Sequence, residues 1–248
     1  MSDNMNWKSN KSKIFSDLEY GQITHLGLFE FGNNYTFLVR LKNESGDQYM
    51  GIYKPFCGEA PLSDFPWGTL YKREVASYLV SKGLGWEFIP PTVIKDGPYG
   101  IGSLQLYIEH NPRENYFTLK GTHNTEFQQM CLFDFVTNNA DRKGGHCLKG
   151  FDGKIWGIDH GLTFNVREKL RTVIWEYSGE SVSIGLQNDL KKLYSQVTTD
   201  STLGKSLNDL ISIEELESFV QRLEDILRCP TFPILDLTGR RSWPYPLL

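Results

Sequence analysis

Two polar clusters joined by a tight turn constrain this chain most. The first is Asn138-Asn139-Ala140-Asp141-Arg142-Lys143-Gly144-Gly145-His146, and the second is Gly157-Ile158-Asp159-His160-Gly161. Between them, Cys147-Leu148-Lys149 and Lys154-Ile155-Trp156 flank Asp152-Gly153, a strong hairpin-turn signal. With Asp152 and Gly153 as a two-residue turn, opposed residues have numbers that sum to 305. His146 and Asp159 then face each other across the hairpin, where neighbours stand roughly 5 Å apart. Asp141 sits in the loop before the first strand. One sheet end thus gathers two carboxylates and an imidazole, enough to place a divalent cation on one carboxylate and leave the other as base or orienter.

The elements around this hairpin fall into two groups. From about Ile14 to Ile108 the pattern is mostly strands. Ile23 to Phe31, Tyr35 to Leu41 and Tyr49 to Tyr53 read as a meander, bent at Gly32-Asn33-Asn34 and at Glu44-Ser45-Gly46-Asp47. Leu70 to Lys82 carries Val75, Ala76, Leu79 and Val80 at helical spacing, with Gly83 as its stop. Val93-Ile94 and Ser103 to Ile108 read as two more strands around Asp96-Gly97. Thr125 to Thr137 reads as a helix, almost wholly apolar from Met130 to Val136 and therefore central. Further on, Ser212 and Glu215 form a capping box ahead of an apolar stripe from Ile213 to Leu227. Strands first and helices later define an α+β, two-lobed architecture. The pattern predicts one domain over residues 1–248, with a β-rich lobe over about 14–108 and a mostly helical lobe over 109–248.

Four residues occur in an informative order: Lys54 at the end of the third strand, Glu74 in the next helix, Asp141 with His146 in the loop, and Asp159 after the hairpin. Protein kinases use a strand lysine paired with a helix glutamate, then a catalytic-loop Asp, then a metal-binding Asp, in that order. Each residue alone has an ordinary reading as a surface lysine, a solvated glutamate or a turn former. Together they resemble the kinase superfamily.

The resemblance is strongest to the atypical branch that holds phosphatidylinositol 3-/4-kinases and the HipA-type bacterial protein kinases. It rests on Asn139-x-Asp141-Arg142-Lys143-Gly144-Gly145-His146, on Ile158-Asp159-His160-Gly161, and on Tyr53-Lys54-Pro55. The chain is also similar to a group of bacterial proteins that share this likeness. The resemblance implies a protein-kinase-like fold and a phosphotransferase that moves the γ-phosphate of ATP to a hydroxyl. It implies Asp141 and Lys54 as catalytic residues, with Lys54 on the phosphates and Glu74 orienting it. It implies Gly32, Asn33 and Asn34 as the phosphate-covering loop, and Leu106 and Ile108 as walls for the adenine. Asp159 is implied as the main metal ligand. His146 stands where the family has a metal-binding Asn, and His160 where it has Phe. The cofactors implied are ATP with Mg²⁺ or Mn²⁺, the latter suiting an imidazole better. Other readings stay open: AMP transfer from a reversed nucleotide, a pseudokinase that binds nucleotide without chemistry, and an unrelated α+β protein. The acceptor is unspecified among protein, lipid and small-metabolite hydroxyls, since fold does not transfer substrate.

Bulk properties remove several other classes. The net charge of −4 gives no electrostatic ground for a nucleic-acid partner. Aromatic residues make up 13% of the chain, which argues for a packed core. No apolar run reaches transmembrane length, and the polar start with Lys8, Lys11 and Lys13 has no secretory pattern. Cys57, Cys131, Cys147 and Cys229 show no paired spacing, so a cytosolic protein with reduced cysteines is expected. Thr202-Leu203-Gly204-Lys205-Ser206 lacks the upstream Gly of a phosphate loop and is rejected as one.

Overall fold

The structure, a computed structural model, describes residues 11–29, 34–199, 201–236 and 241–248. The chain forms two compact units. One runs to Val75 and resumes over Pro90–Glu109, and the other comprises Ala76–Ile89 and His110–Leu248. Ala76–Ile89, which a division near residue 108 leaves with the strands, thus belongs with the helices.

The first unit begins with a helix that the strand-like reading of this stretch missed, α1 (Lys11–Tyr20). Strands β1 (Gln22–Phe29), β2 (Thr36–Lys42) and β3 (Gln48–Pro55) form the expected meander. Helix α2 (Leu70–Leu84) follows, then β4 (Thr92–Gly97) and β5 (Gly100–Leu106). The sheet is antiparallel throughout, in the order β1-β2-β3-β5-β4, so β3 is central. Alternation along β3 buries Tyr49, Gly51 and Tyr53 on one face. There they pack with Ile14 and Leu18 of α1, Val39 and Leu41 of β2, Val93 of β4 and Leu104 of β5. Lys54, one residue past Tyr53, belongs to the opposite face. Helix α2 stops at Gly85, whose φ of +75° is left-handed, two residues beyond the expected Gly83. The last hairpin of the sheet pairs Gly97 with Gly100, so its turn lies at Pro98-Tyr99 and not at Asp96-Gly97.

The second unit is built around a buried helix. After α3 (Tyr116–Leu119), helix α4 (Asn124–Thr137) buries Phe127, Met130, Cys131, Leu132, Phe133, Asp134, Val136 and Thr137. Strands β6 (Cys147–Lys149) and β7 (Ile155–Gly157) form a separate two-stranded ribbon. Helices α5 (Ile184–Thr198), α6 (Thr202–Leu210) and α7 (Ile213–Arg228) complete the core. The rejected phosphate-loop lookalike lies in α6, which is capped by Ser201. The capping box of α7 forms as read, with Ser212 and Glu215 satisfying each other's main-chain N–H groups. Phe219, Leu223 and Ile226 of its stripe are buried, whereas Ile213 is 63% exposed at the first turn. All four cysteines are free, with Cys131 and Cys147 buried. Among the described residues, no helix is long and apolar enough to cross a membrane.

Candidate active site

The first unit supplies an ion pair. Lys54 Nζ lies 2.5 Å from Glu74 Oε1, joining β3 to the first half of α2. Glu74 is only 3% exposed, so it is no solvated surface glutamate beside Lys72 and Arg73. Burying a carboxylate costs several kcal/mol unless a cation meets it, and Lys54 is that cation. The start of α2 is fixed by Glu59, whose carboxylate accepts the N–H groups of Leu70 and Tyr71 at 3.2 and 2.8 Å. Burial nonetheless pushes the Glu59 carboxyl above its usual range.

The expected nucleotide contacts of this unit are partly described. Gly32 and Asn33 lie outside the described residues. Asn34 accepts a hydrogen bond from the Ala60 N–H at 2.7 Å, which ties its turn to the segment after β3. Leu106 ends β5, half-buried against the sheet core, and Ile108 follows it, half-buried.

The second unit holds the acidic site, and its loop is pinned at nearly every residue. Helix α4 ends at Asn138, left-handed at φ 53°. The Asn138 amide donates to the carbonyls of Asn165 and Arg167 and accepts from the Lys169 N–H. Asn139 donates to Asp134 Oδ1 at 2.8 Å and accepts the Asp141 N–H at 3.0 Å. These two asparagines, read as turn formers, set the backbone from which Asp141 projects.

Behind Asp141 lies a buried charge network. Arg142 and Asp134 are both fully buried and pair at 2.9 Å. Arg142 Nε also bonds both Asp134 oxygens, Nη1 donates to the Ile158 carbonyl at 3.1 Å, and Nη2 lies 2.6 Å from His160 Nε2. A guanidinium only donates, so His160 Nε2 accepts and the ring is the neutral Nδ1–H form. Thr172 completes Asp134's shell at 3.0 Å. Arg142 therefore connects the residue after Asp141 with the residues on either side of Asp159. Asp134 and Arg142 were not among the expected site residues. The signal was a lone carboxylate inside the apolar run Met130–Val136, where a buried charge demands a partner.

The hairpin differs from expectation by one residue. Cys147 pairs with Gly157, Leu148 with Trp156 and Lys149 with Ile155, so paired numbers sum to 304. The loop has three residues, Phe151-Asp152-Gly153, closed by Gly150 N–H to the Lys154 carbonyl at 2.9 Å. Gly153 takes the left-handed position at φ +81°, as three-residue hairpin loops require. His146 consequently faces Ile158, whose N–H donates to the His146 carbonyl at 3.0 Å. Asp159 still meets the imidazole, its Oδ2 3.4 Å from His146 Nε2, at a point where its own φ of +60° redirects the chain.

Asp141 and Asp159 differ in environment. The Asp159 side chain is 49% exposed and Asp141's is 24% exposed. Burial pushes the Asp141 carboxyl up to about 6; Lys143, 3.2 Å away, opposes this, and the charge on Asp159 adds to it. A carboxylate poised near 6 suits a general base. Asp141, whose proton affinity the charge on Asp159 raises, and the accessible Asp159 fit a hard divalent cation. Among the described residues, no three His, Cys, Asp or Glu side chains cluster as a self-contained metal cage. Phosphate-bound ions need none, since one or two carboxylates and the phosphates complete their shell.

Comparison with known proteins shows a protein-kinase-like fold. The Golgi casein kinase with Mn/ADP bound superposes with a TM-score of 0.56 at 14% identity, over 89% of this chain and 75% of that one. Hydra Fam20, solved with sugar, superposes with a TM-score of 0.57 at 14% identity, over 92% and 90%. At that identity the likeness is one of fold, the two-lobed α+β kinase-like class. In sequence, protein Rv2133c of Mycobacterium tuberculosis is 34% identical over 91% of this chain and 92% of its own length. The chain belongs to the family of that mycobacterial protein. Phosphatidylinositol 4-kinase gamma 4 of Oryza sativa subsp. japonica is 25% identical over 55% of the chain, which spans 31% of that relative's length. No protein-family model matches the chain.

Proposed function

We propose that this protein is an ATP- and divalent-metal-dependent phosphotransferase of the atypical kinase type, acting on a hydroxyl acceptor. The observation that carries the reading is the Lys54–Glu74 pair, a lysine on a central strand held by a buried helix glutamate. Glu74 fixes the ammonium, and Lys54 neutralises charge on the phosphates of ATP. Asp141 orients the acceptor hydroxyl and takes its proton as the oxygen attacks the γ-phosphorus, and the bond from that phosphorus to the β–γ bridging oxygen breaks to release ADP. Asp159 is the metal ligand, and a divalent ion there, Mg²⁺ or Mn²⁺, neutralises charge on the phosphate oxygens when bound. The manganese and ADP in the Golgi casein kinase structure support nucleotide and divalent-ion use in this fold. The likeness to a plant phosphatidylinositol 4-kinase supports the lipid-kinase side of the atypical branch. The HipA-type side has no such support among the relatives named above.

His146 is better placed beside the metal position than in it. Its Nδ1 accepts the Lys143 N–H at 3.3 Å, which leaves the proton of the neutral ring on Nε2, toward Asp159 Oδ2. His146 thereby orients the ligand carboxylate, as outer-shell groups do at metal sites.

Lys54→Met separates this role from simple packing. It is expected to slow release of γ-phosphate from ATP by about 10²–10³-fold and to lower stability, because the buried Glu74 loses the Lys54 ammonium. Lys54→Met/Glu74→Leu should recover most of the stability and none of the turnover. Full turnover in either variant would remove Lys54 from the site. Turnover restored together with stability would make the pair a packing device.

A further inference from the structure

The stretch Arg241–Leu248 lies against the loop that carries Asp141. The Ser242 N–H donates to the Leu170 carbonyl at 2.9 Å, and the Thr172 N–H donates to the Ser242 carbonyl at 3.1 Å. On its other side the Leu170–Val173 segment bonds Arg142: the Arg142 N–H donates to the Arg171 carbonyl at 3.0 Å, and the Val173 N–H to the Arg142 carbonyl at 3.1 Å. Both pairings are parallel, so three short segments lie side by side, with Arg142 at one edge and Ser242 at the other. Farther along, the Gly144 N–H donates to the Leu247 carbonyl at 2.7 Å. Arg241 anchors the start, its Nε 2.5 Å from Glu168 Oε1 and its guanidinium 5.5 Å from the Phe135 ring centre. Tyr245, Leu247 and Leu248 are exposed and Pro244 is buried, so the stretch is held by its main chain, by Arg241 and by Pro244.

We infer that Arg241–Leu248 is an internal strap that positions the Asp141 loop, acting through Arg142 and Gly144. The inference rests on the phosphotransfer reading of Asp141 given above. A few main-chain bonds, each contributing little net, make a strap that loosens well before the core opens. Displacement of a reacting group by about 1 Å can cost 10²-fold in rate, so loosening the strap lowers turnover before it lowers global stability. Ser242 and Leu247 are thus positioning residues that touch no substrate.

The test compares Ser242→Pro, which lacks the N–H that meets Leu170, with Ser242→Ala, which keeps it. In Ser242→Pro, hydrogen exchange at Gly144 and Thr172 should quicken at least about tenfold, while amides of α4 keep their protection. Its kcat for γ-phosphate release should fall at least about tenfold with KM for ATP within about twofold, and Ser242→Ala should track the native chain. Arg241→Ala, a milder change, should shift exchange and kcat in the same direction. Faster exchange with unchanged kcat in Ser242→Pro overturns the strap, as does an equal loss in Ser242→Ala. A native chain without turnover removes the phosphotransfer reading instead. Exchange then decides the strap alone: faster exchange confined to Gly144 and Thr172 supports it, and unchanged exchange overturns it. A global loss of protection in Ser242→Pro, with no change in Arg241→Ala, also overturns it.

Discussion

Asp141→Asn is expected to release γ-phosphate from ATP about 10²–10⁴-fold more slowly than the native chain, and yet to be the more stable protein at pH 7.5. The two effects have one cause. Burial pushes the Asp141 carboxyl up to about 6, against an ordinary value of 3.8. An acid whose folded pKa is raised supports the fold below its unfolded pKa and loses that support as pH rises through the folded pKa. Above about 6 the native chain therefore carries a buried charge that Asn lacks. At about 1.4 kcal/mol per unit, trimmed because the side chain is 24% exposed, the gain for Asn is on the order of 2 kcal/mol. It should be present at pH 7.5 and shrink toward zero as pH falls to about 4. The native turnover should itself decline as pH drops through about 6, where the base protonates. Melting curves of both chains across this window, beside turnover at pH 7.5, check the pair of effects. A variant both inactive and less stable at pH 7.5 would make Asp141 a structural residue.

Arg142→Met should cost about 3–5 kcal/mol, the largest single loss of stability expected in the acidic site. Arg142 contacts Asp134 through Nε and Nη2, the Ile158 carbonyl through Nη1 and the His160 ring through Nη2. Methionine fills much of the volume and satisfies none of these groups. The Asp134 carboxylate, with 0% of its side chain exposed, would keep only Asn139 and Thr172 among these partners. Arg142→Lys retains charge but not the planar fork, and should fall between the two. Arg142→Met/Asp134→Leu should regain part of the loss, since the stranded charge goes with the second substitution. Urea unfolding of the four chains measures this. A single-variant loss under about 1 kcal/mol would contradict a hub role for Arg142.

The sequence pattern exposed the parts of this protein that side-chain type determines. The Lys-Pro at the end of β3, Glu74 in α2, the apolar run of α4 and the Ser212–Glu215 box could all be placed from residue identity. The approach of His146 to Asp159 was foreseen, although the pairing was off by one residue. Asp-Gly signals a turn without fixing its length, and here Phe151 joins it to make three residues. Helix α1 is hard to read from sequence because, among its described residues, Ile14 and Leu18 alone are fully buried, too few to establish a helical period. Helix α2 outran Gly83 because burial of its flank outweighs the modest helix penalty of one glycine. Arg142 was visible as a motif residue but not as a hub, since its partners lie 8 residues back, at Asp134, and 18 ahead, at His160. The contacts of Arg241–Leu248 are mostly main-chain and leave almost no trace in residue type.

Calorimetric titration of ATP into the native chain and into Asp159→Asn, with Mn²⁺ and separately with Mg²⁺, tests the central claim most directly. The phosphotransferase reading predicts saturable binding that needs the divalent ion in the native chain and is lost or weakened at least about tenfold in Asp159→Asn. Absence of ATP binding with either ion, or equal binding by both chains, would contradict it.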